Sequence, residues 1–262
     1  MITVTHHDGA GNDFLVAMAD DRLGPSAART WCDRVHGIGA DGLLAVGVGT
    51  TTDLTMRLWN ADGSLAEMSG NGIRCLVHGA VLAGLVAPGT ISVATDAGVR
   101  TVEFSAAGDG EGWASVAMGA VTLGEDVVLA GGGSAQRASV GNPHLVCLCD
   151  SVEDLDPMID GPALSAAPEG GTNVEWISVR ADGGLDFVVY ERGVGPTKAC
   201  GTGSCAAAAV AHAHGLVGPT VAVHNPGGVL SVDVADVDAV VLSGPVRYLG
   251  TATVAFPDEG AA

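Results

Sequence analysis

A serine and a cysteine hold matching places in two glycine-flanked turns, Met68-Ser69-Gly70-Asn71-Gly72 and Ala199-Cys200-Gly201-Thr202-Gly203. Each turn opens an apolar run of helical period. A helix start leaves backbone N–H groups unpaired, so a side chain there sits beside positive partial charge and a ready anion site. For Cys200 this predicts a lowered pKa and a thiolate able to carry a proton. Ser69 taken alone is an ordinary N-cap; its match to Cys200 makes it a candidate. Cys75 and Cys205 lie inside the runs and read as small buried residues.

The match extends past the turns. A shift of about 130 residues, the self-comparison that exposes repeats, lays Gly11-Asn12 on Gly141-Asn142 and Asn60 on Glu191. It also lays Gly84-Leu85-Val86 on Gly215-Leu216-Val217, and Pro88 on Pro219. One unit used twice would offer two helix starts to one ligand, and two opposed faces are what inversion of a carbon centre requires.

Other polar groups stand at strand ends. Asn60-Ala61-Asp62-Gly63-Ser64 and Glu191-Arg192-Gly193-Val194-Gly195 enter the two helices from matching strands. Asn, Glu and Arg there could read an ammonium and a carboxylate, the Arg192 fork suiting the latter; ordinary turn chemistry and a surface ion pair explain them equally well. His144, in Gly141-Asn142-Pro143-His144, is a group able to transfer protons near neutral pH.

Composition narrows the partners. A formal charge of −19 argues against nucleic acid and against an anionic membrane surface, and leaves a small zwitterion open. Six cysteines (32, 75, 147, 149, 200 and 205) lack the paired spacing of a zinc site. They read as reduced thiols in a cytoplasmic protein, and no metal is expected. Lys198 is the only lysine, so a Schiff-base cofactor would have to use it; no cofactor is expected. No apolar stretch is long enough to span a membrane. The sequence does not fix oligomeric state and leaves a homodimer open.

Elements that would position these groups follow from periodicity and turn signals. Short strands are expected at 1–4, 14–18, 42–48, 54–59, 91–94, 99–104 and 115–118, with helices at 27–36 and 72–84. The second half repeats the order, with strands at 145–148, 174–179, 185–190, 220–223, 229–232 and 239–243 around a helix at 204–214. Leu123–Ser134 reads as a bland boundary loop between halves 1–120 and 121–247, and a last strand within 248–258 could return to the first half. Two pseudo-symmetric halves, each a strand-rich sheet wrapped around a central helix, make a mixed α/β (α+β) fold. Too few helices alternate with strands for a doubly wound sheet.

Together these segments closely resemble the diaminopimelate epimerase family. The matching pieces are Gly9–Phe14, Gly37–Leu43, Asn60 through Cys75, Gly141–His144, Thr172–Glu175 and Glu191 through Cys205, in family order across nearly the whole chain. The resemblance implies two similar halves with the substrate in the cleft between them. It further implies cofactor-independent epimerisation of LL-diaminopimelate to meso-diaminopimelate, in lysine and peptidoglycan-precursor biosynthesis, by two-base proton transfer. In that scheme Cys200, assisted by Glu191, works on one face of the α-carbon. The first-half group at position 69, assisted by His144, works on the other. The implied substrate-binding residues are Asn12, Asn60, Gly70, Asn71, Asn142, Asn173, Glu191, Arg192, Gly201 and Thr202.

Three positions depart from the family pattern: Ser69 stands for a cysteine, Pro196 for an acidic residue and Asp8 for a histidine. A hydroxyl is far harder to deprotonate than a thiol, so Ser69 is expected to be a poor base and a conceivable acid. These departures keep open a related racemase or isomerase of another amino acid, and a non-catalytic amino-acid-binding relative.

Overall fold

The computed structural model describes residues 1–130 and 132–257. In chain order the first elements are β1 (Ile2–Asp8), β2 (Asp13–Met18), α1 (Pro25–Cys32), β3 (Gly42–Val48), β4 (Leu54–Asn60), β5 (Leu65–Ala66), α2 (Gly70–Leu82), β6 (Gly89–Thr95), β7 (Gly98–Gly108) and β8 (Glu111–Gly119). Then come β9 (Thr122–Val128), β10 (Ser134–Ser139), β11 (Pro143–Leu148), α3 (Pro157–Ala166), β12 (Asn173–Val179), β13 (Leu185–Glu191), β14 (Gly195–Pro196), α4 (Gly201–Ala213), β15 (Thr220–Asn225), β16 (Gly228–Asp233) and β17 (Val240–Val254). The fold is mixed α+β and divides into two compact units, Met1–Val116 with the chain from Pro245 onward, and Ala117–Gly244.

In the first unit β1 pairs antiparallel with β2, β2 parallel with β3, β3 antiparallel with β4, β4 parallel with β6, and β6 antiparallel with β7. The second unit repeats this sequence of pairings with β10, β11, β12, β13, β15 and β16. The outer strands correspond too, since the end of β17 lies antiparallel to β1 as β9 lies antiparallel to β10. Even a lone connecting hydrogen bond recurs: Tyr248 N–H donates to the Gly110 carbonyl, and Val121 N–H to the Val237 carbonyl.

Each unit holds its long helix as a core element. Every residue of α2 from Gly70 to Ala80 is buried, as is α4 from Gly203 to Ala211, the pattern of a helix covered on all sides. Small residues make the fit. Ala206–Ala209 are wholly buried, and a Cβ on Gly79 would stand 2.9 Å from Val16 Cγ1. A short helix covers the other strand face: α1 packs on β3 and β4, and α3 on β12 and β13. With both faces covered, β2 and β3 are almost unbroken apolar runs.

Several expectations need correction. Leu123–Ser134 is no bland loop: it contains most of β9 and reaches the start of β10, two strands paired to each other. The mostly exposed residues of β9 give no alternation to read. The first helix stops at Cys32 rather than running to residue 36, because Asp33 turns extended. The expected strands at 239–243 and 248–258 are largely one strand, β17, ending at Val254; Asp258 lies outside the described residues. Helix α3 leaves no helical signal in the sequence, because Gly161 and Pro162 interrupt its period.

Candidate active site

Both helix starts have the geometry their sequences suggest. Ser69 is the N-cap of α2, in extended backbone at φ −138° and ψ 125°, and its Oγ accepts the Gly72 N–H at 3.0 Å. Cys200 is the N-cap of α4 at φ −126° and ψ 113°, and its Sγ accepts the Gly203 N–H at 3.4 Å. The two caps are the same device built once with oxygen and once with sulfur.

In the first unit the candidates Asn12 and Asn71 meet: Asn71 Nδ2 donates to Asn12 Oδ1 at 3.3 Å. The hairpin turn between β1 and β2 presents Asn12, with positive φ at Ala10 and Gly11 as a tight hairpin turn demands. Asn12 Nδ2 donates to Asp41 at 2.6 Å, and Arg34 bridges Asp41 and Asp13. Burial opposes the charge on Asp13, but hydrogen bonds from His6 and Arg34 outweigh it and hold its pKa at about 2. Asn60 stays in its own turn, donating to Ser64 Oγ at 2.9 Å. Arg74 of α2 is fully buried and donates to the Gly9 and Gly70 carbonyls, which places a cation beside Gly70 and Asn71.

In the second unit a longer polar set converges on Cys200. Its Sγ lies 3.6 Å from Thr202 Oγ1. Thr202 Oγ1 accepts from Asn142 Nδ2 at 3.3 Å, the counterpart of the Asn12–Asn71 contact. Asn142 Oδ1 lies 3.0 Å from His144 Nε2, and His144 Nδ1 lies 2.6 Å from Glu175 Oε1. His144 and Glu175 side chains are fully buried, so the imidazole is fixed from both nitrogens. Glu191 is hydrogen-bonded to Cys200 and accepts from Thr197 Oγ1. The Cys200 N–H donates to Asn225 Oδ1 at 3.3 Å. Asn173 uses both ends of its amide internally, donating to the Pro143 carbonyl and accepting the Arg192 N–H. The Arg192 guanidinium is exposed and donates to the Gly170 carbonyl at 2.8 Å.

The electrostatics reverse one expectation. The Cys200 pKa is raised, not lowered: burial dominates, the Glu191 and Glu175 carboxylates add to it, and the Gly203 N–H and Thr202 only partly offset them. The helix-terminus effect is real but smaller than desolvation at a buried sulfur. Burial also raises Glu191, against hydrogen bonds from Thr197 and Cys200. Cys200 is therefore a thiol at rest, beside a carboxyl group more basic than usual.

Glu175, Thr197 and Asn225 join the polar set around Cys200, and Arg74 the separate set around Gly70 and Asn71, without having stood out in the sequence. A carboxylate inside the apolar run Asn173–Val179 is the available signal for Glu175, since a buried charge needs a partner. Gly203 explains how it fits: a Cβ there would stand 2.7 Å from Glu175 Oε1.

Among solved structures the chain shares its fold with a Bacillus anthracis phenazine biosynthesis protein of the PhzF family. The TM-score is 0.77 at 15% identity, covering 97% of this chain and 99% of that one. It is also similar to a hydroxyproline epimerase from Agrobacterium vitis, with TM-score 0.73 at 15% identity, covering 97% and 90%. At such identities the likeness defines a fold class only, a two-unit α+β architecture. Sequence relatives define more. Residues 4–124 and 137–249 match the family model described as diaminopimelate epimerase. Proteins of that name from Desulfitobacterium hafniense and Desulforudis audaxviator are 37% identical over 265 residues and 39% over 270. They cover 92% and 93% of this chain and 94% and 95% of their own length. The chain belongs to the diaminopimelate epimerase family and is an isomerase. Among the described residues no helix is long and apolar enough to cross a membrane.

Proposed function

We propose that this protein epimerises LL-diaminopimelate to meso-diaminopimelate by proton transfer at the α-carbon, with Cys200 and Ser69 acting on opposite faces of one substrate. The observation that carries the reading is Cys200 itself: a helix-capping thiol hydrogen-bonded to a carboxyl group of raised basicity. Glu191 takes the thiol proton, and the thiolate removes the α-proton. Ser69 delivers a proton to the other face, and His144 restores the one Ser69 gives up. The early N–H groups of α2 and α4 bind the α-carboxylate and spread the charge that develops on it. Asn12, Asn60, Gly70, Asn71, Asn142, Asn173, Glu191, Arg192, Gly201 and Thr202 complete the binding set. No step calls for a cofactor.

Incubation with LL-diaminopimelate followed by chiral chromatography tests this. Meso product should form, and Cys200→Ala should abolish it. Absence of product from the wild-type protein would overturn the reading. Ser69, in place of the family's cysteine, favours one second reading, a related racemase of another amino acid; a substrate panel in the same assay separates the two. Tight amino-acid binding without any α-proton exchange would instead mark a binding relative.

A further inference from the structure

Five groups of the second unit form an unbroken polar chain, from Glu175 through His144, Asn142 and Thr202 to the Cys200 sulfur. Its middle members are ambivalent. A hydroxyl can donate or accept, and an amide turned over exchanges oxygen for nitrogen without moving any heavy atom far. Its ends are not: Glu175, as carboxylate, accepts only, and the sulfur donates as thiol and accepts as thiolate. With Cys200 a thiolate only one amide orientation satisfies every link; with Cys200 a thiol both do, because the Thr202 oxygen can accept from S–H and from the Asn142 NH₂ together, the orientation this structure shows. In the other thiol arrangement the amide is turned over: S–H points to Thr202, Thr202 donates to the Asn142 oxygen, and the Asn142 NH₂ donates to an unprotonated His144 Nε2. With Cys200 a thiolate, Thr202 donates to sulfur and accepts from the Asn142 NH₂. The Asn142 oxygen then faces Nε2, which must carry a proton, while Nδ1–H stays on Glu175 throughout.

We propose that Thr202 and Asn142 tie the protonation state of Cys200 to that of His144, with Glu175 as the fixed end that holds the imidazole. This makes Thr202, Asn142 and Glu175 positioning residues for the proton-carrying sulfur, and it rests on the reading of Cys200 given above. The balance is simple: with Nε2 already protonated, as the amide orientation shown here requires, the sulfur gives its proton to Glu191 and no other proton changes hands. None passes through the amide. From the turned-over orientation the thiolate is reached by rotation of one hydroxyl and one amide. Around the chain, β13 contributes Glu191, β12 Glu175 and β15 the uncharged Asn225. The buried Glu175 Oε2 has no hydrogen-bond partner among the described residues, so the carboxylate has His144 as its one strong contact there and orients it firmly.

The test reads Cys200 ionisation from the ultraviolet absorbance of its thiolate, taken as the difference from Cys200→Ala in the same background. His144→Gln should move the midpoint to higher pH by about one pH unit, a tenfold loss of thiolate in the foot of the curve, within the usual range of site coupling. In a Thr202→Val background the same His144→Gln change should move it by less than roughly a third of that, the residue of through-space charge alone. Thr202→Ser, which keeps the hydroxyl, should restore the full movement and shows that the fold tolerates substitution there. Equal movement with Thr202 in place and in the Thr202→Val background would mean simple through-space charge and overturn the proposal, as would no movement in either. No substrate is present, so this outcome is independent of whether diaminopimelate is turned over.

Discussion

Ser69 and Cys200 share backbone conformation, capping role and place in the repeat, so they differ in the chemistry of one atom. That isolates the consequence of the exchange. A serine hydroxyl ionises far less readily than a thiol, and the N–H groups at the start of α2 recover only part of the gap. Ser69→Cys should therefore raise epimerase turnover, by about 10²–10⁴-fold if the group at position 69 carries the proton. Steady-state kinetics on both isomers would check it; unchanged turnover would reduce Ser69 to a helix cap. The paired helix-capping places of Ser69 and Cys200 were legible because they recur. The raised basicity of Cys200 was not, because desolvation and the Glu175 carboxylate depend on which strand faces the helix.

The seam between β1 and α2 carries a second buried titratable pair. His7 and His78 approach through their Nδ1 atoms at 3.2 Å, and His7 Nε2 lies 2.9 Å from Thr5 Oγ1. Burial first, and then the neighbouring histidines His78 and His6, hold the His7 pKa at about 3, against an ordinary value of 6.5. The unfolded chain therefore binds a proton that the folded one refuses between about pH 6.5 and 3, and stability falls as pH drops through that window. The loss should reach a few kcal/mol, since each pH unit of the window is worth about 1.4 kcal/mol. Urea midpoints measured from pH 7 to 4 should fall in the wild type and fall less in His7→Gln; parallel curves would show that the pair is not responsible. Elements themselves were legible where the pattern was strong. The runs of α2 and α4 announce helices buried on all sides, whereas α3, broken by Gly161 and Pro162, does not. Gly161 is there for Tyr190, whose ring leaves no room for a Cβ, 2.6 Å away. A tertiary contact of that kind leaves no period in the sequence. Strand β9 escaped for the opposite reason, its residues being mostly too exposed to alternate, and in β10 a register shift spaces the buried Ala135 and Ala138 three apart, which breaks the period of two.

At the scale of the whole chain the duplication organises the fold. It could be read from Gly11-Asn12 and Gly141-Asn142 because those turns and the two helix starts are where backbone geometry restricts the choice of residue. The strands between them diverged, constrained only to be apolar on covered faces. The units have diverged in chemistry as well: around Asn12 the first gathers Asp13, Asp41 and Arg34, while around Asn142 the second gathers His144 and Glu175. A repeat whose two caps carry groups of unequal acidity suits a reaction in which one group takes a proton and another gives one. The most direct measurement of that claim is the turnover of each diaminopimelate isomer in deuterium oxide, with the α-position followed by NMR and mass spectrometry. Two groups on opposite faces predict deuterium in newly formed epimer well before it appears in remaining substrate, from the LL and the meso side alike. Deuterium entering one isomer alone, with no interconversion, would contradict it.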